Sequence, residues 1–222
     1  MMAAMTLNHA STLVFAALAI SGCATTAGLK LPEPLTKTTG PVSIELSGPG
    51  YEGADLEKRA AAIAVLEKVL NSSQFQQRIH DFKFNKRGTN GSPGFTSAEV
   101  LTIVLSGSDI DGVAAAESDE AAAGAVTRVL KMNLNLDKDR RGELGHTNME
   151  TGEIFTGQEW FRSQTICEIA GHALHEYTHV VGFGHTFLNV LRRSRSVPYG
   201  LGDTAADLAT ELNAEVCKSS RE

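Results

Sequence analysis

His175-Glu176-Tyr177-Thr178-His179 sets two imidazoles four residues apart, and His185 follows six residues later. On a helix, positions i and i+4 share one face, so His175 and His179 reach the same metal ion. Glu176 stands between them with a carboxylate that can accept a proton. Gly182 permits a left-handed helix end, a conformation that residues with a Cβ avoid. The chain turns there and delivers His185 as a third nitrogen donor. Three imidazoles suit zinc (Zn2+) and leave its fourth tetrahedral position open, which marks a catalytic rather than a structural site. The bland alternative is a histidine-rich helix that holds no ion. H-E-x-x-H-x-x-G-x-x-H fixes five positions, and each one makes a chance match rarer.

This pattern resembles the metzincin metallopeptidases. The resemblance implies an α+β, zincin-like fold: a single catalytic domain with a twisted mixed sheet and an active-site helix. It implies hydrolysis of peptide bonds in peptide or protein substrates, with zinc as cofactor. His175, His179 and His185 would be the metal ligands and Glu176 the general base. Metzincins also carry a methionine in a tight turn beneath the metal. This chain has no methionine after Met149, and Ser196-Val197-Pro198-Tyr199-Gly200 stands in that place. In astacins and serralysins a tyrosine just beyond that turn approaches the zinc. By that resemblance Tyr199 is a second catalytic candidate, with Pro198 fixing a turn through its locked φ. The alternative is that Tyr199 packs under the site. The same stretch and the helix before it resemble a group of uncharacterised bacterial metzincin-like proteins.

Residues 13–20 are apolar throughout, and Ile20-Ser21-Gly22-Cys23 follows them. Eight apolar residues are too few to span a bilayer. The segment resembles a bacterial lipoprotein signal, with 1–22 as signal peptide and a lipidated Cys23 as membrane anchor. It departs from the usual pattern in having no Lys or Arg in its first ten residues. A plain secretory signal is the alternative. Ala24 follows the cysteine, which by resemblance to Gram-negative lipoproteins implies the periplasmic face of the outer membrane. Residues 23–41 contain Pro32, Pro34 and Pro41 and read as a flexible tether. The remaining 42–222, about 180 residues, suffice for one domain with a full core. If Cys23 bears lipid, Cys167 and Cys217 remain. In an oxidising periplasm they are expected to pair and to pin the carboxyl end to the active-site helix; two buried free thiols are the alternative.

A net charge of -6 excludes the basic footprint that nucleic acid requires. Val42 to Ser47 alternates as a strand, and Ala54 to Leu70 has helical apolar spacing. Ser73 to Phe82 suggests a second helix that faces the core with Phe75, Ile79 and Phe82. Asn85 to Gly94 reads as a loop. Thr96 and Glu99 form a capping-box pattern for a helix to about Leu105. Acidic residues from Gly107 to Gly124, and Asp137 to Gly142, miss the spacing of a calcium loop. Leu130 to Leu136 alternates as a half-buried strand. Glu143 to Thr147 and Glu153 to Thr156 suggest a hairpin ahead of a helix that starts near Ser163. By the zincin resemblance, Gly145-His146-Thr147-Asn148 would be an edge strand that binds substrate backbone; an ordinary sheet edge is the alternative. Asp203 or Thr204 is expected to cap a last helix to about Val216.

The nearby polar residues get plainer readings. His172 is expected in a supporting or surface position, and Glu159 and Glu168 in solvent. Asp207 or Glu211 could bond a ligand imidazole. Trp160 and Phe161 are expected beneath the active-site helix. Two other functions compete with the metalloendopeptidase: a non-catalytic zinc-binding envelope lipoprotein serving as scaffold or adaptor, and a peptidoglycan-peptide hydrolase. Retention of Glu176 opposes the first, and no separate wall-binding module supports the second.

Overall fold

Val42–Ser47 forms strand β1, as its alternation predicts. It belongs to a computed structural model that describes residues 41–84, 95–107, 128–138, 144–185 and 195–218. The signal segment 1–22, Cys23, the tether to residue 40, the loop at 85–94, the acidic stretch 108–124 and most of the turn after Asp137 lie outside the described residues.

Three further strands complete a mixed sheet: β2 (Arg128–Asp137), β3 (Gly145–Asn148) and β4 (Glu153–Gly157), in the order β1-β2-β4-β3. β1, β2 and β4 run parallel, and β3 pairs antiparallel with β4 as the expected hairpin. Leu130, Met132, Leu134 and Leu136 are buried on β2. Asn135, assigned by alternation to the polar face, is buried too. Its side-chain amide donates to the Ile154 carbonyl at 3.3 Å, so the burial leaves that donor satisfied.

Helix α1 (Ala54–Leu70) runs as expected and buries Leu66, Val69 and Leu70. Asn71 at its end exchanges two hydrogen bonds of 2.8 Å with the backbone of Val42, which locks α1 to β1. Helix α2 (Ser73–Asp81) faces the core with Phe75 and Ile79. Phe82 does not join them: its backbone is extended, and its ring packs on Phe84 at 4.6 Å. Helix α3 (Ser97–Ser106) starts with the Thr96/Glu99 capping box.

Two helix boundaries differ from expectation. The helix expected from near Ser163 begins at Ile166 as α5 (Ile166–Val180), and a separate short helix, α4 (Gln158–Ser163), precedes it. Thr165 and Glu168 form a capping box that restarts the chain: Thr165 N–H donates to the Glu168 carboxylate at 2.7 Å, and Glu168 N–H to the Thr165 hydroxyl at 3.2 Å. Glu168 is therefore half-buried in a cap rather than simply solvated. Helix α6 (Val197–Leu212) begins well before Asp203, because Pro198 in its first turn presets a helical φ. Tyr199 thus sits in a helix and not in an irregular turn. The chain breaks at Asn213, and α7 (Ala214–Lys218) follows.

Helix α5 packs between α1 and α6. A Cβ at Gly171 would lie 2.6 Å from both the Ala206 Cβ and the Gly202 carbonyl, so α5 and α6 cross nearly backbone to backbone. The expected disulfide between Cys167 and Cys217 joins α5 to α7, with Cα atoms 5.6 Å apart.

Candidate metal centre and its cleft

One side of α5 is apolar and buried: Cys167, Ala170, Ala173, Leu174 and Tyr177. The other carries Glu168, His172, His175, Glu176 and His179 at one-turn intervals. The helix ends in a Schellman motif around Gly182, whose φ is 97°. Gly182 N–H donates to the His179 carbonyl at 3.0 Å, and Phe183 N–H to the Thr178 carbonyl at 2.9 Å. This reversal brings His185 back to α5.

The ligand atoms of His175, His179 and His185 lie within 4.8 Å of one another, so this group can hold a metal ion. His179 Nε2 and His185 Nε2 are 3.1 Å apart. Two imidazoles on one tetrahedral zinc would have nitrogens about 3.3 Å apart, given zinc–nitrogen bonds of about 2.0–2.1 Å. His179 Nδ1 lies 2.6 Å from the Phe183 carbonyl. A carbonyl only accepts, so Nδ1 carries the proton and Nε2 turns a lone pair toward the other histidines. Burial lowers the His179 pKa, and the bond to Phe183 opposes that shift, so the neutral ligand form is favoured. His185 is exposed and closes the group from the solvent side.

Glu176 is 5% exposed. Its Oε2 accepts a hydrogen bond from the Thr147 hydroxyl at 2.7 Å, and that hydroxyl also lies 3.1 Å from the Glu176 carbonyl. Burial raises the Glu176 pKa, and the Thr147 bond works against it. His172 Nδ1 stands 3.8 Å from Glu176 Oε1. The ring is wedged between Trp160, with centroids 4.4 Å apart, and Thr156, whose Oγ1 is 3.3 Å from Nε2. Burial pushes the His172 pKa down to about 4. His172 is therefore buried beside Glu176, and the surface position allowed for it is wrong.

Tyr199 packs edge-on to His175 at 4.5 Å and lies 5.0 Å from His185, between centroids. It lines the same cleft as those histidines and Glu176, a space of about 420 Å³. Glu211 does not bond a ligand imidazole as suggested. Glu211 pairs with Arg78 of α2 through contacts of 3.0 and 2.6 Å, and Asp207 is exposed. The acceptor for His179 is the Phe183 carbonyl instead. Phe161 is buried against Tyr51 at 5.2 Å, whereas Trp160 forms a wall of the cleft.

Sequence reasoning missed Thr147 and the Phe183 carbonyl. The hairpin placed Thr147 on an edge strand, and its alternation with His146 offered a clue to the face it takes. The Phe183 contact depends on backbone geometry after Gly182, which no side-chain pattern records. No family model matches the chain, and no curated protein or solved structure matches it.

Proposed function

We propose that this chain is a metzincin-like zinc metalloendopeptidase, held by lipidated Cys23 at the periplasmic face of the outer membrane. The observation that carries the reading is the convergence of three imidazoles within 4.8 Å beside a buried carboxylate on the same helix. The donor set fits zinc: three nitrogens, one with its tautomer fixed by a backbone carbonyl. When bound there, zinc supplies the Lewis acidity that activates water and polarises a carbonyl. Glu176 accepts the proton of the attacking water on its carboxylate and passes it to the leaving amine. Burial makes that carboxylate a stronger base, and Thr147 holds its Oε2 in place. Tyr199 lends its phenol to the developing oxyanion. The edge strand β3 pairs with an extended substrate backbone. The mixed sheet with a helix behind its edge strand supports a zincin-like fold. A zinc-binding scaffold would have no use for a buried base among its ligands.

Metal analysis tests the centre. Wild-type protein and Glu176→Ala should each retain about one zinc per chain, and His185→Ala should lose most of it. Full zinc content in His185→Ala would sink the three-histidine assignment.

A further inference from the structure

A row of polar side chains from three parts of the chain ends at Glu176. Tyr51, between β1 and α1, and Thr156 of β4 are buried, and the His172 side chain on α5 is 10% exposed. Tyr51 and Thr156 hydrogen-bond through their hydroxyls. Thr156 Oγ1 lies 3.3 Å from His172 Nε2, and His172 Nδ1 lies 3.8 Å from Glu176 Oε1. At the far end the Arg59 guanidinium stands over the Tyr51 ring, 4.3 Å from its centroid. That guanidinium donates to the Gly48 carbonyl at 2.9 Å, so the end of β1 fixes its place.

A neutral imidazole carries one proton, and its neighbours decide which nitrogen holds it. Burial keeps His172 neutral at pH 7. An ionised carboxylate only accepts hydrogen bonds, so a bare Nδ1 would turn a lone pair against Glu176 Oε1, whereas an Nδ1–H presents a proton. The hydroxyls fit the second arrangement. A phenol is a stronger donor than an aliphatic hydroxyl, and the cation over the Tyr51 ring polarises it further. Tyr51 then donates to Thr156, Thr156 donates to His172 Nε2, and the ring proton is left on Nδ1.

We propose that His172 is a positioning residue for Glu176: Tyr51 and Thr156 hold its ring as the Nδ1–H tautomer, which faces Oε1 while Thr147 holds Oε2. That Glu176 is a base rests on the peptidase reading. At 3.8 Å the N–H acts on the carboxylate as a dipole rather than through a full hydrogen bond, and the low-dielectric surroundings strengthen that attraction. Trp160, with centroids 4.4 Å away, keeps the imidazole from turning out of the row. Each carboxylate oxygen thus faces a protein donor, and the orientation of Glu176 is set before substrate arrives.

Ring-nitrogen NMR of the zinc-loaded protein, isotope-labelled at its histidines, reads the tautomer directly. The His172 signals are those missing from His172→Asn. They should show the proton on Nδ1 and a bare Nε2 in wild type. Thr156→Val should move the Nε2 signal, because that nitrogen loses the hydrogen bond it accepts. Kinetics on a fluorogenic peptide that wild type cleaves then tests the role. His172→Phe keeps a ring against Trp160 and removes both nitrogens, so kcat should fall about tenfold with KM and zinc content unchanged. His172→Asn, whose amide can stand in for Nδ1–H, should recover part of that loss. An Nε2–H tautomer in wild type, or a kcat in His172→Phe equal to that of wild type, would overturn the positioning role and leave the peptidase reading standing. Zinc-loaded wild type that cleaves no peptide would overturn the peptidase reading and the positioning role together, whatever the tautomer.

Discussion

Thr147 donates a hydrogen bond from its hydroxyl to the carboxylate of Glu176 and so couples the edge strand to the proposed base. A hydrogen bond to a charged group is worth about 1.5–3 kcal/mol. Thr147→Val should therefore lower kcat by about ten- to a hundredfold with zinc content intact, and Thr147→Ser should recover most of it. A peptide assay that separates kcat from KM checks this. His172 gives a prediction in stability. Its pKa is about 4 in the fold against 6.5 ordinarily, with 10% of its side chain exposed. Between those values the unfolded chain binds a proton that the folded one refuses. Stability from this residue is thus complete above about pH 6.5 and is lost as the pH falls toward 4, by up to about 3 kcal/mol. Urea titrations of metal-free wild type and His172→Gln across that window should show the extra slope in wild type only. His175, Glu176 and His179 were legible from helical spacing, and His185 from the turn that Gly182 permits. Thr147 was not, since its contact requires β3 to pack on α5, and the burial of His172 depends on Trp160 and Thr156 from other elements.

Elements were legible where their boundary chemistry is local. The Thr96/Glu99 box and the alternation of β1 and β2 needed no tertiary information. The short helix α4 was missed, and the starts of α5 and α6 were misplaced, although the Thr165/Glu168 box and Pro198 are signals of the same local kind. The irregular composition after His185 hid the second. Gly171 shows what an element owes to its partner. It lets α5 approach α6 closely enough for Tyr199 to touch His175. In Gly171→Ala the new methyl would meet Ala206 and the Gly202 carbonyl at 2.6 Å. The helices must separate, at a cost of about 1–3 kcal/mol. Thermal melts should show the midpoint fall by about 2–10 °C, and Ala206→Gly in the same chain should restore part of it. An unchanged midpoint would contradict backbone contact between the two helices.

At the scale of the whole molecule, the α+β class was legible and the strand order was not. β1 and β2 pair in parallel although α1, α2 and α3 separate them in the chain, and nothing in either strand names its partner. The disulfide closes a separation of 50 residues and fastens α7 to the helix that carries the histidines. Among the described residues no helix is long and apolar enough to cross a membrane, and the proposed attachment runs through Cys23 instead. The histidine group and Glu176 are proposed to hydrolyse peptide bonds together. The direct test exposes zinc-loaded wild type and Glu176→Ala to a diverse peptide library and records the products by mass spectrometry. Wild type alone should cleave, with zinc retained by both. Identical product spectra from two zinc-loaded proteins would contradict it.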